Sequence, residues 1–467
     1  MKEKERGIWN FIDKIEGDKV VWIILFLLTM ISTLAIFSST SQLTGDKTDR
    51  IDLIRQHTYI VIGGYAIIMF LYKFGRIGWF RFLSQFGFML TTGLLILLDF
   101  GGGLGIVKAE NINNAVRTLN LFGYQIHVFE AAKIFMVMYM AWASHSYKSD
   151  QEEIAKTGKS KRLTIANRLS KVEHLSFLAK PFWKRAIYMY IPMLIVCALT
   201  LPGSNSSAIF LGIIMLATLL IGGIPLKEIF LGILVAGMLI GSAAGLYYAS
   251  DGKIFGNTRV GTMLERLQAD YSVERLQGLK ERSDEWYEVR SKIMQPYTAR
   301  IAIHEGGLTG KGSGNSTQKY VVTHIYSDYM FSFLVEEYGL LGGIFVIILF
   351  VSLIARGSMI ARLCSNGFAQ IAVGGLSLLI TGQAFMHIFV NVGIGPMTGQ
   401  TLPLISDGDF AFIMFCIAFG IILSISRIAR NQIRKEEEAA APLYENKDDI
   451  QVAMTVLDNI DFDKEDN

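Results

Sequence analysis

The sequence predicts an all-α polytopic membrane protein: ten transmembrane helices, both termini cytoplasmic, and one large, partly helical extracytoplasmic loop before the eighth helix. Three observations predict it. Of the 467 residues 51% are hydrophobic and only 18% charged. The apolar residues collect into runs of about twenty, the length that crosses ~30 Å of hydrocarbon. Lysines and arginines crowd into alternate connections, which fixes an orientation.

Taken in order, residues 1–19 form a charged cytoplasmic segment. The run 20–37 lacks a small-residue cleavage site and reads as a retained first helix, not a signal peptide. Further spans are expected at 58–74, 79–98, 126–144, 183–200, 206–222, 226–248, 328–355, 368–390 and 409–427. With the N-terminus inside, the inner connections include 146–185, with ten lysines and arginines, and the tail that begins RIARNQIRKEEE. The outer connections 39–57 and 99–125 carry far fewer. The large loop 249–327 is then outside, the membrane domain spans 20–430, and 431–467 is a cytoplasmic, mostly disordered tail with an acidic end.

Within 146–182, a helix between Leu163 and Leu178 could be an amphipathic surface element, against the simpler reading of a solvated connector. The loop 249–327 holds a helical-looking stretch, Val260 to Gln277, a dense mixed-charge run, Lys280 to Arg290, and five glycines between Ile303 and Gly314. The net charge of +3 gives no basis for nucleic-acid binding. Cys197, Cys364 and Cys416 have no metal-type spacing and lie in or beside apolar runs, as small buried hydrophobes do.

Ionisable residues inside spans are costly and therefore mark function by default. Glu130 and Lys133 stand three residues apart in the fourth span, on one helix face. They form either an ion pair that locks two helices or a cavity group for a charged substrate. Arg117, Arg259, Arg266, Arg300, Lys311 and Lys319 add cations to the outer loops and could grip a diphosphate, arginine bidentately. Asp328 with Ser327 is suited to capping the eighth helix, and Glu336 and Glu337, deeper in it, must be paired or face water. GGLTGKGSGNSTQ lacks the GxxxxGK[ST] spacing of a phosphate loop, so its glycines are read as permitting close backbone approach. NVGIGPMTGQTLPLISDGDF puts four glycines and two prolines at membrane depth, where broken backbone is tolerated only when it lines a cavity or is buried in protein. Asp407 and Asp409 either close that cavity's rim or cap the tenth helix.

The ten-helix layout, the runs IAIHEGGLTGKGSGNSTQ and YSDYMFSFLVEEYGLLGG, and NVGIGPMTGQTLPLIS resemble the SEDS family (FtsW, RodA and SpoVE) over about residues 20 to 430. GNSTQ and TLPLIS look more like its division branch than its elongation branch, and YSD and EEYG look like Bacteroidetes versions. The resemblance implies a peptidoglycan glycosyltransferase that polymerises lipid II in septal wall synthesis, with undecaprenyl diphosphate as leaving group. Localisation in the cell inner membrane at the septum, and partnership with a class B penicillin-binding protein and other division proteins, are implied with it. A sugar hydroxyl attacks an anomeric carbon, so the site needs a base and positive charge for the departing diphosphate.

By the same resemblance, Glu130 and Lys133 in VFEAAKI fall on the family's QPSExxK pattern, without its Gln-Pro-Ser, and Arg117 in VRTLNL falls on its RWL-like segment. The family's outer-loop Asp, often before Pro, has no clear counterpart. Counting from Arg259 reaches Asp270, and counting back from Ile301 reaches Glu288 with Asp284 nearby, so Asp284, Asp270 and Glu288 all remain candidates for the base, in that order. Arg259, Lys311, His324, Ser327, Asp328 and Ser406 are assigned to substrate binding around the cavity mouth. The family's Gln-Pro-Asp appears as LPGSNSS, its Ser-Tyr-Gly-Gly as Ser406-Asp407-Gly408-Asp409, and a lysine common in division members as Thr398. The resemblance implies no certain cofactor and leaves open whether a divalent cation helps hold the diphosphate. Two other functions stay in view: a flippase for the lipid-linked precursor, which needs the cavity but no base, and a non-catalytic division scaffold.

Overall fold

The computed structural model describes residues 16–39, 50–100, 107–112, 115–121, 124–158, 163–170, 173–250, 273–322, 325–395 and 398–445. Helices stand at each expected span: α1 (Lys19–Ser39), α2 (Arg50–Phe74), α3 (Ile77–Phe100), α4 (Val128–Thr157), α6 (Pro181–Thr200), α7 (Asn205–Ile221), α8 (Leu226–Ala249), α11 (Met330–Leu363), α12 (Gly367–Asn391) and α13 (Asp409–Glu445). Between them lie the short α5 (Thr164–Leu169) and α9 (Val273–Gly278) and the longer α10 (Asp284–Gly306). Among the described residues seven helices are long and apolar enough to cross a membrane. Of the others, α7 is apolar but has only 17 residues.

The polar composition of α4 has a structural reason: it is enclosed by its neighbours rather than by lipid. Its buried residues fall all round the helix and include Lys133, Ser144 and Asp150. It runs from one end of the bundle, where Lys133 meets α12, to the other, where His145 bonds to Arg81. Of the seven candidate spans the most enclosed are α12 and α13, with 67% and 78% of their apolar windows buried, and with α4 they form the core.

At one end the start of α1 is tied down by the Asp18–Arg356 ion pair and by the Arg430 guanidinium, which donates to the Gly17 carbonyl at 2.7 Å. At the opposite end Ser38 bonds to Glu337 and Gln56 to Asp409. In α6, Ala186–Tyr190 widens into a π-helical turn just before Pro192. Pro192 has no N–H and its ring crowds the carbonyl four residues back, which the wider turn relieves.

Four expectations are corrected. The chain is not strictly all-α, because the connection between α3 and α4 carries an antiparallel sheet, β1 (Val107–Ile112), β2 (Ala115–Leu121) and β3 (Tyr124–Ile126), with Val107 opposite Leu121 and Leu119 opposite Ile126. Short β-branched runs such as AVRTLNL suit a pleated, half-buried surface. The fourth span is the first part of a helix that runs on to Thr157, and 163–178 breaks into α5 and a 3-10 stretch, Glu173–Ala179. The mixed-charge run of the large loop is the start of α10, a regular 23-residue helix capped by Ser283, whose hydroxyl accepts the Trp286 N–H. Finally α13 carries the chain to Glu445, so the tail begins as helix.

Candidate active site

The Lys133 ammonium is the centre of the most tightly built polar cluster. It is 1% exposed. Its three hydrogens go to Glu130 Oε1 at 2.7 Å, Gln383 Oε1 at 2.6 Å and Gln400 Oε1 at 3.0 Å. Both amides are held from behind: Gln383 donates to the Thr401 carbonyl, and Gln400 donates to Ser207 Oγ at 2.8 Å. A buried cation with one carboxylate and two amide oxygens is satisfied in hydrogen bonding and neutral in sum.

Gln400 belongs to the segment between α12 and α13, where the backbone is non-helical, as expected from its glycines and prolines. Leu404, a buried leucine at φ 60°, sits in the sparsely populated left-handed region. The turn around it is closed by Ser406, whose hydroxyl accepts the Leu402 N–H and donates to the Ser327 carbonyl. Burial, with the Asp409 charge nearby, pushes the Asp407 carboxyl up to about 6. Beside Gln400 lies a crevice of about 10 Å³, room for roughly one water, lined by Asp328, Tyr329, His387, Thr398 and Gln400. The hydroxyl of Tyr329 is buried without a hydrogen-bond partner.

The cap of α11 differs from the Ser327-Asp328 expectation. Its N-cap is Tyr329, whose side chain makes no capping bond. Instead α12 supplies the acceptors: His387 Nε2 takes the Phe331 N–H at 3.3 Å and Asn391 Oδ1 takes the Ser332 N–H at 2.9 Å. The other ring nitrogen, Nδ1, lies 2.8 Å from the Gln400 carbonyl oxygen and is its donor in the same tautomer. Gln383, His387 and Asn391 were not singled out by sequence, although their spacing of four residues marks one polar stripe along an apolar helix.

A second cluster organises the glycine-rich loop. The helix α11 breaks at Gly339 (φ 72°), and the backbone of the loop satisfies the freed groups: Lys311 N–H bonds to the Glu336 carbonyl, Gly312 N–H to Glu337, and Leu340 N–H to Gly307. Three glycines are required by this crossing, since a Cβ on Gly306, Gly310 or Gly339 would lie 2.1–2.3 Å from a backbone oxygen. Glu336, fully buried, accepts from Lys311 Nζ, Thr317 N–H, Gln318 N–H and Ser316 Oγ. Lys311 also pairs with Glu305, whose carboxyl is held below its usual range by Lys311, Gln318 and Thr317 against a small opposing effect of burial. Burial alone would lower Lys311, but its bonds to Glu305 and Glu336 raise it. Thus Lys311 serves the loop's own structure, with its hydrogens directed to Glu305, Thr317 and Glu336. Lys319 is likewise turned inward, onto the Ser38 and Gly314 carbonyls.

Of the expected site residues, the structure brings together Glu130 and Lys133, and it places Ser327, Asp328 and Ser406 at the neighbouring rim. Arg117 lies on β2 and Asp284 and Glu288 on the first turns of α10, where only their backbone is described. Asp284 and Glu288 are one turn apart on one face of α10, roughly 24 and 18 Å along the helix from Arg300 at 1.5 Å per residue. Arg300 itself packs against Gly393, at the end of α12. Asp270, Arg259 and His324 lie outside the described residues.

Comparison with known proteins agrees with this architecture. A probable peptidoglycan glycosyltransferase FtsW of Pseudomonas fluorescens is 26% identical over 395 residues, 82% of this chain and 81% of that one. Its Bacillus subtilis counterpart is 24% identical over 83% of this chain and 85% of the relative. The FtsW of Hahella chejuensis is 36% identical over 169 residues, a stretch that spans 43% of that relative. Among solved structures, a chain of a peptidoglycan synthase complex superposes with a TM-score of 0.60 at 18% identity over 88% of this chain and 98% of its own. Thermus thermophilus RodA does so at 0.54 and 16% identity, over 89% of this chain and 98% of its own. The profile of the FtsW/RodA/SpoVE family, described as cell cycle protein, matches residues 18–431, and the chain belongs to that family.

Proposed function

We propose that this multi-pass membrane protein is a division-type peptidoglycan glycosyltransferase that polymerises lipid II at the septum, on the outer face of the cell inner membrane. One observation carries the reading: a buried lysine, Lys133, held by Glu130, Gln383 and Gln400 beneath a broken segment at the end of the bundle opposite Gly17 and Arg430. A fixed cation in a low-dielectric wall stabilises charge that develops on a departing diphosphate and needs no reorganisation to do so. The acceptor sugar hydroxyl attacks the anomeric carbon of the donor, the bond to undecaprenyl diphosphate breaks, and the hydroxyl proton passes to a carboxylate.

That carboxylate is sought among Asp284, Asp270 and Glu288. Asp284 and Glu288 stand one turn apart on one face of α10. Arg117, Arg259 and His324 complete the proposed binding surface. Among the described residues no three His, Cys, Asp or Glu side chains converge to hold a metal ion. The likeness to a chain of a peptidoglycan synthase complex supports a class B penicillin-binding protein as partner.

The test is polymerisation of purified lipid II by the protein with its partner, after replacing Asp270, Asp284 and Glu288 singly by Ala. One variant is expected to lose polymer while retaining lipid binding. Undiminished polymer from all three sinks the assignment of the base. The Lys133 cluster also serves a second reading, a precursor flippase, which needs the cation but no base; it predicts no polymer from wild type and transfer of lipid II across vesicles.

A further inference from the structure

Resting on the reading that Lys133 receives the diphosphate, we propose that Gln400 is a placeholder: its amide oxygen occupies one Lys133 hydrogen when the site is empty and yields it to a phosphate oxygen of the ligand. Three features separate Gln400 from the other two partners. Glu130 and Gln383 sit on regular helices, α4 and α12, whereas Gln400 sits on the non-helical segment between α12 and α13. Its bond to Lys133, 3.0 Å, is the longest of the three. It also borders the crevice lined by Asp328, Tyr329, His387 and Thr398. The crevice has about 10 Å³, too little for a phosphate, so a ligand must displace a wall element.

The chemistry of the group matters as much as its place. A buried ammonium with an unused hydrogen is unfavourable, so the empty site needs a third acceptor. A neutral amide supplies one without binding as strongly as a carboxylate. An incoming phosphate oxygen outcompetes it, while the Gln400 amide nitrogen can keep the bond it already donates to Ser207 Oγ. A second carboxylate at this position would close the cluster against anions.

The experiment measures binding of undecaprenyl diphosphate to the full-length protein in detergent, with inorganic diphosphate as a parallel probe to separate headgroup from lipid-chain effects. Gln400→Met removes the competing acceptor and is expected to tighten binding about tenfold, the scale of one charge-assisted hydrogen bond. Gln400→Glu is expected to weaken it by about tenfold or more. Gln383→Met, which removes a fixed support, weakens it as well, so the opposite signs of the two methionine variants distinguish a placeholder from a structural amide. Weaker or unchanged binding by Gln400→Met overturns the proposal while Lys133→Met still abolishes binding. Unchanged binding by Lys133→Met overturns the underlying assignment of Lys133 itself. Should Gln400→Met fail to fold, Gln400→Glu decides: binding equal to wild type or tighter refutes the placeholder.

Discussion

Replacing Glu336 by Ala tests the claim that the glycine-rich loop is a rigid part of α11. The carboxylate is fully buried and receives Lys311 Nζ at 2.8 Å, the Thr317 N–H at 2.8 Å, the Gln318 N–H at 3.2 Å and Ser316 Oγ. Truncation leaves Ser316, itself buried, and two backbone N–H groups without their acceptor, each worth ~1–3 kcal/mol when water cannot replace it. Thr317 is exposed, so water recovers part of the loss. The expected cost is about 2–4 kcal/mol. Lys311→Met removes bonds to Glu305, Thr317 and Glu336 but leaves Glu336 its other donors, and from a side chain 24% exposed it should cost less, about 1–2 kcal/mol. Thermal unfolding in detergent, together with protease cleavage within 307–318, reads both effects. Equal costs for the two variants, or a Glu336→Ala protein as stable and as protease-resistant as wild type, would refute the idea that the carboxylate organises the loop.

Gly339→Ala places a Cβ 2.3 Å from the Leu308 oxygen at φ 72°, and a loss of about 3 kcal/mol or more is expected in the same unfolding assay. Asn391→Ala removes the acceptor for both the N–H and the hydroxyl of Ser332, costing about 2 kcal/mol, with hydrogen exchange rising in the first turn of α11. The raised carboxyl of Asp407 binds its proton more tightly in the folded protein than in the unfolded chain. Its stabilising contribution is therefore full below the unfolded value of 3.8 and is lost as pH rises through about 6. Asp407→Asn should flatten stability between those pH values and raise it at pH 7; an unchanged profile contradicts the burial argument.

The helix positions were legible because spans of about twenty apolar residues admit few alternatives in a bilayer. The broken 392–408 segment was legible for the same reason: glycine and proline at that depth demand protein around them. What the pattern concealed is partnership. Glu336 and Glu337 were expected to be paired or wet, but nothing in their own helix shows that the acceptor's donors lie about twenty residues upstream, in a loop whose path depends on the break at Gly339. Likewise Ser327-Asp328 reads as a local cap, and the cap came from α12, a helix later in sequence. His387 could have been noticed: it is ionisable and inside a span, and Gln383 and Asn391 flank it at helical spacing. The sheet between α3 and α4 escaped because three short strands carry less signal than the helices around them.

The role of Lys133 is tested most directly by lipid II polymerisation with the purified protein and its partner, comparing wild type with Lys133→Met in samples shown by unfolding to be folded. The account predicts polymer from wild type and a loss of about a hundredfold or more with Lys133→Met, as for removal of one donor to a developing oxyanion. Polymer at the wild-type rate from Lys133→Met would contradict it.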